Sequence, residues 1–249
     1  MKGAAMEVIA FISRKGGGGK TTSALCIADQ LRRRGRSVLI IDLDAKRNAS
    51  KAMSADLSQT NVINLFDGAS LGEVVQHTKC GDIVPGSIYL NAADAVLTNN
   101  HELKKALQRG GDQYDFILID CPDAPGRLTA NAITAANSVL ITFKAEPFHY
   151  DGIDDLNATI EQAHETNKNL NVRGILVTAY DGRSNEAKRN LDAFRSKAAE
   201  MGTAVIEPPI RATSKVYEAQ GRRVNLSDYA PKSTAAQDYK IIVDKLLEQ

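Results

Sequence analysis

Val8-Ile9-Ala10-Phe11-Ile12-Ser13-Arg14-Lys15-Gly16-Gly17-Gly18-Gly19-Lys20-Thr21-Thr22 is an apolar strand that runs straight into four consecutive glycines and then into the first residues of a helix. Strand, glycine loop and helix in that order form the context a phosphate-binding loop requires. Gly16, Gly17, Gly18 and Gly19 let successive backbone N–H groups turn toward phosphate oxygens without a Cβ in the way. The N-terminus of the next helix adds partial positive charge. Lys20 is then placed to bridge the β- and γ-phosphates of ATP, Thr21 to ligate Mg2+ through its hydroxyl, and Thr22 to hold the α-phosphate. A mere glycine turn with two solvated lysines would be the plainer explanation, but a string this long between strand and helix argues against it. The strict pattern GxxxxGK[ST] is not met, because its first glycine falls at Arg14.

Outward from the loop, short β-rich apolar runs alternate with longer helical patterns over nearly the whole chain. This is the signature of an α/β fold, a doubly wound, mostly parallel sheet with helices on both faces. Strands are expected over 8–13, 37–43, 82–85, 116–120, 138–143, 172–178 and 204–206. The clearest helices are expected over 20–34, 151–168, 185–201 and 233–247. Residues 50–100 show weak periodicity and read as an irregular excursion beside the sheet. With 249 residues and no linker-like stretch, one P-loop ATPase domain over 1–249 is expected.

Composition excludes several classes. Hydrophobic residues make up 43% and charged residues 24%, with no apolar run long enough to span a bilayer. The apolar start is short and leads into the glycine loop, so it reads as a first strand, not a signal peptide, and a cytoplasmic protein is expected. Cys26, Cys80 and Cys121 share no metal-like spacing and read as reduced, mostly buried thiols. A net charge of +1 excludes a generally polybasic protein but not a local basic face.

In doubly wound sheets ligands bind beyond the carboxyl ends of the strands. Asp42 and Asp44 close the second strand, and Asp120 follows the apolar run Phe116-Ile117-Leu118-Ile119. An Mg2+-dependent ATPase needs one carboxylate to hold the metal's water shell and another polar group to orient the attacking water. Asp120 suits the first task and Asp44 the second, with Asp42 in support, so Thr21, Asp44 and Asp120 form the metal-side set. Capping or turn formation is what an aspartate at a strand end more ordinarily does.

The string Lys15 to Thr22 resembles the deviant Walker loop, K-G-G-x-G-K-[ST], of the ParA and MinD ATPases. In that family the extra lysine, matched by Lys15, reaches across a dimer to the partner's nucleotide. Asp42-Leu43-Asp44-Ala45-Lys46-Arg47-Asn48-Ala49-Ser50 is similar to the family's first switch, D-x-D-P-Q-x-N-x-[ST], whose second Asp serves hydrolysis. Tyr114-Asp115 through Asp120-Cys121-Pro122, on to Leu128-Thr129 and Asn131-Ala132, looks like the second switch. Lys144-Ala145-Glu146-Pro147-Phe148, the run Thr178 to Asn185, Glu218-Ala219 and Pro231-Lys232-Ser233 resemble later family segments, so the likeness covers nearly the whole chain except about 50–110. Ala45, Lys46 and Arg47 depart from Pro, Gln and usually Gly, and Asp123-Ala124-Pro125 from Pro-Ser-Leu, which adds charge to both switches. Pro208 and Pro209 lie where the family reads adenine, largely through backbone groups.

The resemblance implies an ATP-bound homodimer with weak intrinsic hydrolysis, catalysed by Lys15, Lys20 and Asp44 and stimulated by a ParB-type centromere-binding or adaptor protein. The chain opens on its first strand, so the small form without an N-terminal helix-turn-helix is expected, a form that binds double-stranded DNA without sequence preference and associates with the nucleoid in its ATP state. Candidate DNA contacts are Arg183, Lys188, Arg189, Arg211, Lys215, Arg222 and Arg223; a basic residue on a surface helix is more often simply solvated. Arg32-Arg33-Arg34 sits at a helix C-terminus, where the macrodipole alone explains cations. A MinD-like membrane cycle calls for a basic amphipathic C-terminal helix, whereas here acidic and apolar residues interleave over 238–249, so a membrane partner is not expected. The same residues would also suit an ATPase that positions a protein cargo. A P-loop small-molecule kinase or ligase would share Lys20, Thr21 and Asp120 but need not have Lys15.

Overall fold

The computed structural model describes residues 6–97, 99–123, 126–146 and 152–248. Within them one sheet contains β1 (Glu7–Ile12), β2 (Val38–Asp42), β3 (Gln76–Thr78), β4 (Gly81–Val84), β5 (Phe116–Asp120), β6 (Ser138–Lys144) and β7 (Asn171–Thr178). Their spatial order is β3-β4-β2-β5-β1-β6-β7. Neighbours run parallel except β3, which pairs antiparallel with β4 as an edge hairpin.

The helices are α1 (Lys20–Arg32), α2 (Asn48–Ala52), α3 (Val62–Phe66), α4 (Leu71–Val74), α5 (Leu90–Val96) and α6 (Glu102–Gln108). They continue with α7 (Arg127–Ala135), α8 (Ile153–His164), α9 (Asn185–Glu200), α10 (Lys215–Gly221), α11 (Leu226–Tyr229) and α12 (Thr234–Glu248). The central strands are apolar without alternation because helices cover both of their faces. Val8, Ala10, Ile12, Leu39, Ile41, Ile117 and Ile119 point into one layer, covered by α3 to α9. Ile9, Phe11, Ile40, Leu118 and Leu140 point into the other, covered by α1, α2, α10, α11 and α12. Tyr239 of α12 is fully buried and meets Ser23 of α1 through a 3.0 Å hydroxyl contact, so the C-terminal helix spends its apolar side on the core. No helix among the described residues is long and apolar enough to cross a membrane.

Three expectations need correction. Residues 50–100 are not an irregular excursion, since they hold α3, α4 and α5 and contribute the β3–β4 hairpin to the sheet itself. No strand forms over 204–206. That segment makes only an isolated bridge to β7, with Ile175 N–H donating to Ala204 O and Ile206 N–H to Ile175 O. Pro208 and Pro209 lack N–H groups, so a regular ladder cannot run on through them. The helix expected over 151–168 is α8, Ile153–His164, with Asp151 outside the described residues. Ala124, Pro125, Pro147 and Phe148 of the quoted motifs also lie outside them.

Candidate active site

β1 ends in the glycine loop, and Gly19 caps α1 with φ +93°, a left-handed conformation that suits glycine. A Cβ there would lie 2.8 Å from the Thr178 side chain. The Thr178 hydroxyl lies within donating reach of Gly18 O and Phe143 O, each at 3.2 Å, which ties the ends of β6 and β7 to the loop. Lys20, the first residue of α1, is buried, and Lys15 is exposed. Gln220 of α10 donates to Thr22 Oγ1 at 2.9 Å.

The carboxylates come from the adjacent strands. Asp42 and Asp120 are register partners at the ends of β2 and β5, and both are fully buried. Thr21 Oγ1 donates to Asp120 Oδ2 at 2.7 Å, whereas Asp120 Oδ1 is buried with no hydrogen-bond partner among the described residues. A hydroxyl and an orphaned carboxylate oxygen form a hard donor set that Mg2+ and its waters would complete, so the residues fit that ion. Asp42 is occupied otherwise. Its Oδ1 accepts from Asp44 N–H at 3.1 Å, and its Oδ2 accepts from Ser50 N–H at 2.9 Å and Ser50 Oγ at 2.6 Å. It therefore holds the turn that presents Asp44, whose Oδ1 in turn accepts from Lys46 N–H at 2.9 Å. Burial pushes both Asp42 and Asp120 above the usual carboxylate range; the Asp42 charge adds to the rise at Asp120, while the Ser50 bonds offset part of it at Asp42.

Sequence reasoning missed one group. Asp123 forms an ion pair with Lys20 through Oδ1 and with Lys46 through Oδ2, the latter at 2.6 Å. The only signal was the added charge at positions 46 and 123. Burial alone would raise the Asp123 carboxyl, but the hydrogen bonds from Lys20 and Lys46 prevail and leave it below the usual range.

The seven basic candidates divide by what they touch. Arg183 is 91% exposed and pairs with Asp181 at 3.0 Å, while Lys188 and Arg189 are exposed on α9. Tyr180 and Arg211 form a bridge, which sets these two stretches side by side. Arg211 itself clamps the buried Asp238 of α12, with its backbone N–H and guanidinium both donating, so its position is fixed by a structural task. Lys215 pairs with Glu218 at 2.8 Å and shares the Tyr229 ring with Arg222, at 5.9 and 5.2 Å from the centroid. Arg223 is exposed. Arg33 and Arg34 pair with Asp29, Asp228 and Asp244. Pro208 and Pro209 follow the segment along β7. The three cysteines are buried and reduced.

The family profile described as an AAA domain matches residues 6–172. The chromosome-partitioning ATPase Soj of Treponema pallidum is 30% identical over 97% of this chain and 97% of its own length. Soj of Thermus thermophilus is 32% identical over 96% and 94% respectively. A crystal structure of cobyrinic acid a,c-diamide synthase from Mycobacterium smegmatis with bound ATP analogue and magnesium superposes with a TM-score of 0.86 at 29% identity, covering 98% of this chain and 94% of that one.

Proposed function

The chain belongs to the AAA-domain family of P-loop ATPases of the ParA/Soj and MinD type, and from that premise we propose that it is a partition ATPase whose MgATP-bound homodimer holds DNA and lets go on hydrolysis. The observation that carries the reading is the convergence of buried Lys20, the Thr21–Asp120 pair and the orphaned Asp120 Oδ1 at one edge of the sheet. Lys20 and the glycine-loop N–H groups bind the phosphates, Thr22 holds the α-phosphate, and Pro208 and Pro209 border the adenine through backbone groups. Thr21 and Asp120 would hold Mg2+, which would neutralise charge on the phosphate oxygens. Asp44 orients the attacking water, and Asp42 fixes the turn that carries Asp44. Lys15, which is exposed, reaches the partner copy's nucleotide and makes dimerisation depend on ATP.

The whole chain acts as one unit in this reading. Arg183, Lys188 and Arg189, with Lys215, Arg222 and Arg223, supply the DNA face, and Arg211 supports it from its clamp on Asp238. A ParB-type centromere-binding or adaptor protein stimulates hydrolysis, and the ATP state associates with the nucleoid. A second reading, a small-molecule ligase, draws on the synthase name of the M. smegmatis relative. Co-sedimentation with plasmid DNA and with liposomes, in ATP and in ADP, tests the first. ATP-dependent pelleting with DNA alone supports it; pelleting with liposomes alone, or with neither, contradicts it.

A further inference from the structure

Lys20 is 5% exposed, and a cation that deep is costly to leave unpaired. Its partner is Asp123, three residues beyond β5, a carboxylate at a position where the resembled family has proline. The contact lies inside the phosphate loop. A Cβ added at Gly16 would come within 3.1 Å of Asp123 Oδ2, so the carboxylate rests against the loop backbone as well as on the lysine. The same oxygen accepts from Lys46 Nζ at 2.6 Å, two residues past Asp44. One carboxylate thus joins the phosphate-binding lysine to the turn carrying the water-orienting aspartate.

We propose that Asp123 stands in for the γ-phosphate on Lys20 and thereby sets this chain's preference between nucleoside diphosphate and triphosphate. This rests on the reading of Lys20 as the β- and γ-phosphate ligand. A γ-phosphoryl group and the Asp123 carboxylate are both anions that want the same ammonium, so they exclude one another by charge and by space. A diphosphate leaves the outer part of Lys20 to Asp123, and the bridge to Lys46 persists. A triphosphate evicts Asp123 and frees Lys46, so arrival of the third phosphate is transmitted to both switch segments. The departure from the family's proline is therefore a change in nucleotide selection.

Calorimetric titration with Mg·ADP and with Mg·AMPPNP, on the natural chain, Asp123→Asn and Asp123→Ala, tests the proposal. Both variants are expected to tighten AMPPNP about tenfold relative to ADP, as loss of one charge-assisted competitor implies, with ADP affinity moved by no more than about twofold. ADP binding also verifies that each variant is folded. Equal shifts for both nucleotides, or an unchanged ratio, overturn the role of Asp123 while leaving the phosphate site intact. Failure of the natural chain to bind either nucleotide overturns the phosphate site and this role with it.

Discussion

Thr21 and Asp120 are joined by a 2.7 Å hydrogen bond that satisfies only one of the two carboxylate oxygens, and the other is buried with no donor among the described residues. An unpartnered buried oxygen is a cost to the nucleotide-free fold, and in the proposed reading Oδ1 is the atom that a cation would take.

Asp120→Asn tests that cost. Because burial and Asp42 raise its pKa, Asp120 in the fold binds a proton where the unfolded chain has lost it. Stability of the nucleotide-free protein therefore falls as pH rises from the ordinary carboxylate range into the neutral range. The Asn variant should be more stable at neutral pH by roughly 1–3 kcal/mol, with a shallower pH slope. Thermal unfolding across that range checks both, and Mg·ADP should stabilise the natural chain more than the variant. A variant less stable without nucleotide, or equally stabilised by Mg·ADP, contradicts the metal-side role.

Arg47 stands where the resembled first switch usually has Gly, and its φ is +55° with a buried Nε that finds no partner among the described residues. Left-handed backbone costs an ordinary residue more than the entropy that glycine loses on folding. Arg47→Gly is expected to stabilise the fold by about 0.5–1 kcal/mol in urea unfolding. A destabilised variant would mean that the Arg47 side chain contributes more than its backbone costs.

Retention of the ATP-bound dimer on DNA should weaken with salt at a log–log slope of about −0.9 per phosphate neutralised, as counterion release requires. Lys188→Ala with Arg189→Ala should reduce that slope. A flat response to salt rules out the basic face.

The central sheet was legible because β1, β2, β5 and β6 are near-continuous apolar runs, buried on both sides, and β7 carries such a run in its second half at Ile175-Leu176-Val177. The phosphate loop was legible because its residues are contiguous. Residues 50–110 were not, because α2 to α6 are only four to seven residues long, too short to display a helical period, and β3 is the polar string Gln76-His77-Thr78. At 204–206 the apolar run Ala204-Val205-Ile206 has the composition of a strand, but Pro208 and Pro209 behind it hold the pairing to a single bridge. Asp123 escaped because its partner is 103 residues away in sequence, and no local pattern announces such a contact.

Asp44→Ala removes the group assigned to orient the attacking water while leaving Lys15, Lys20, Thr21 and Asp120 in place. Light scattering of this variant saturated with Mg·ATP measures directly whether a shared triphosphate joins two chains. A particle of twice the chain mass that returns to single mass in Mg·ADP is the expected result; a single-mass particle in both nucleotides contradicts it.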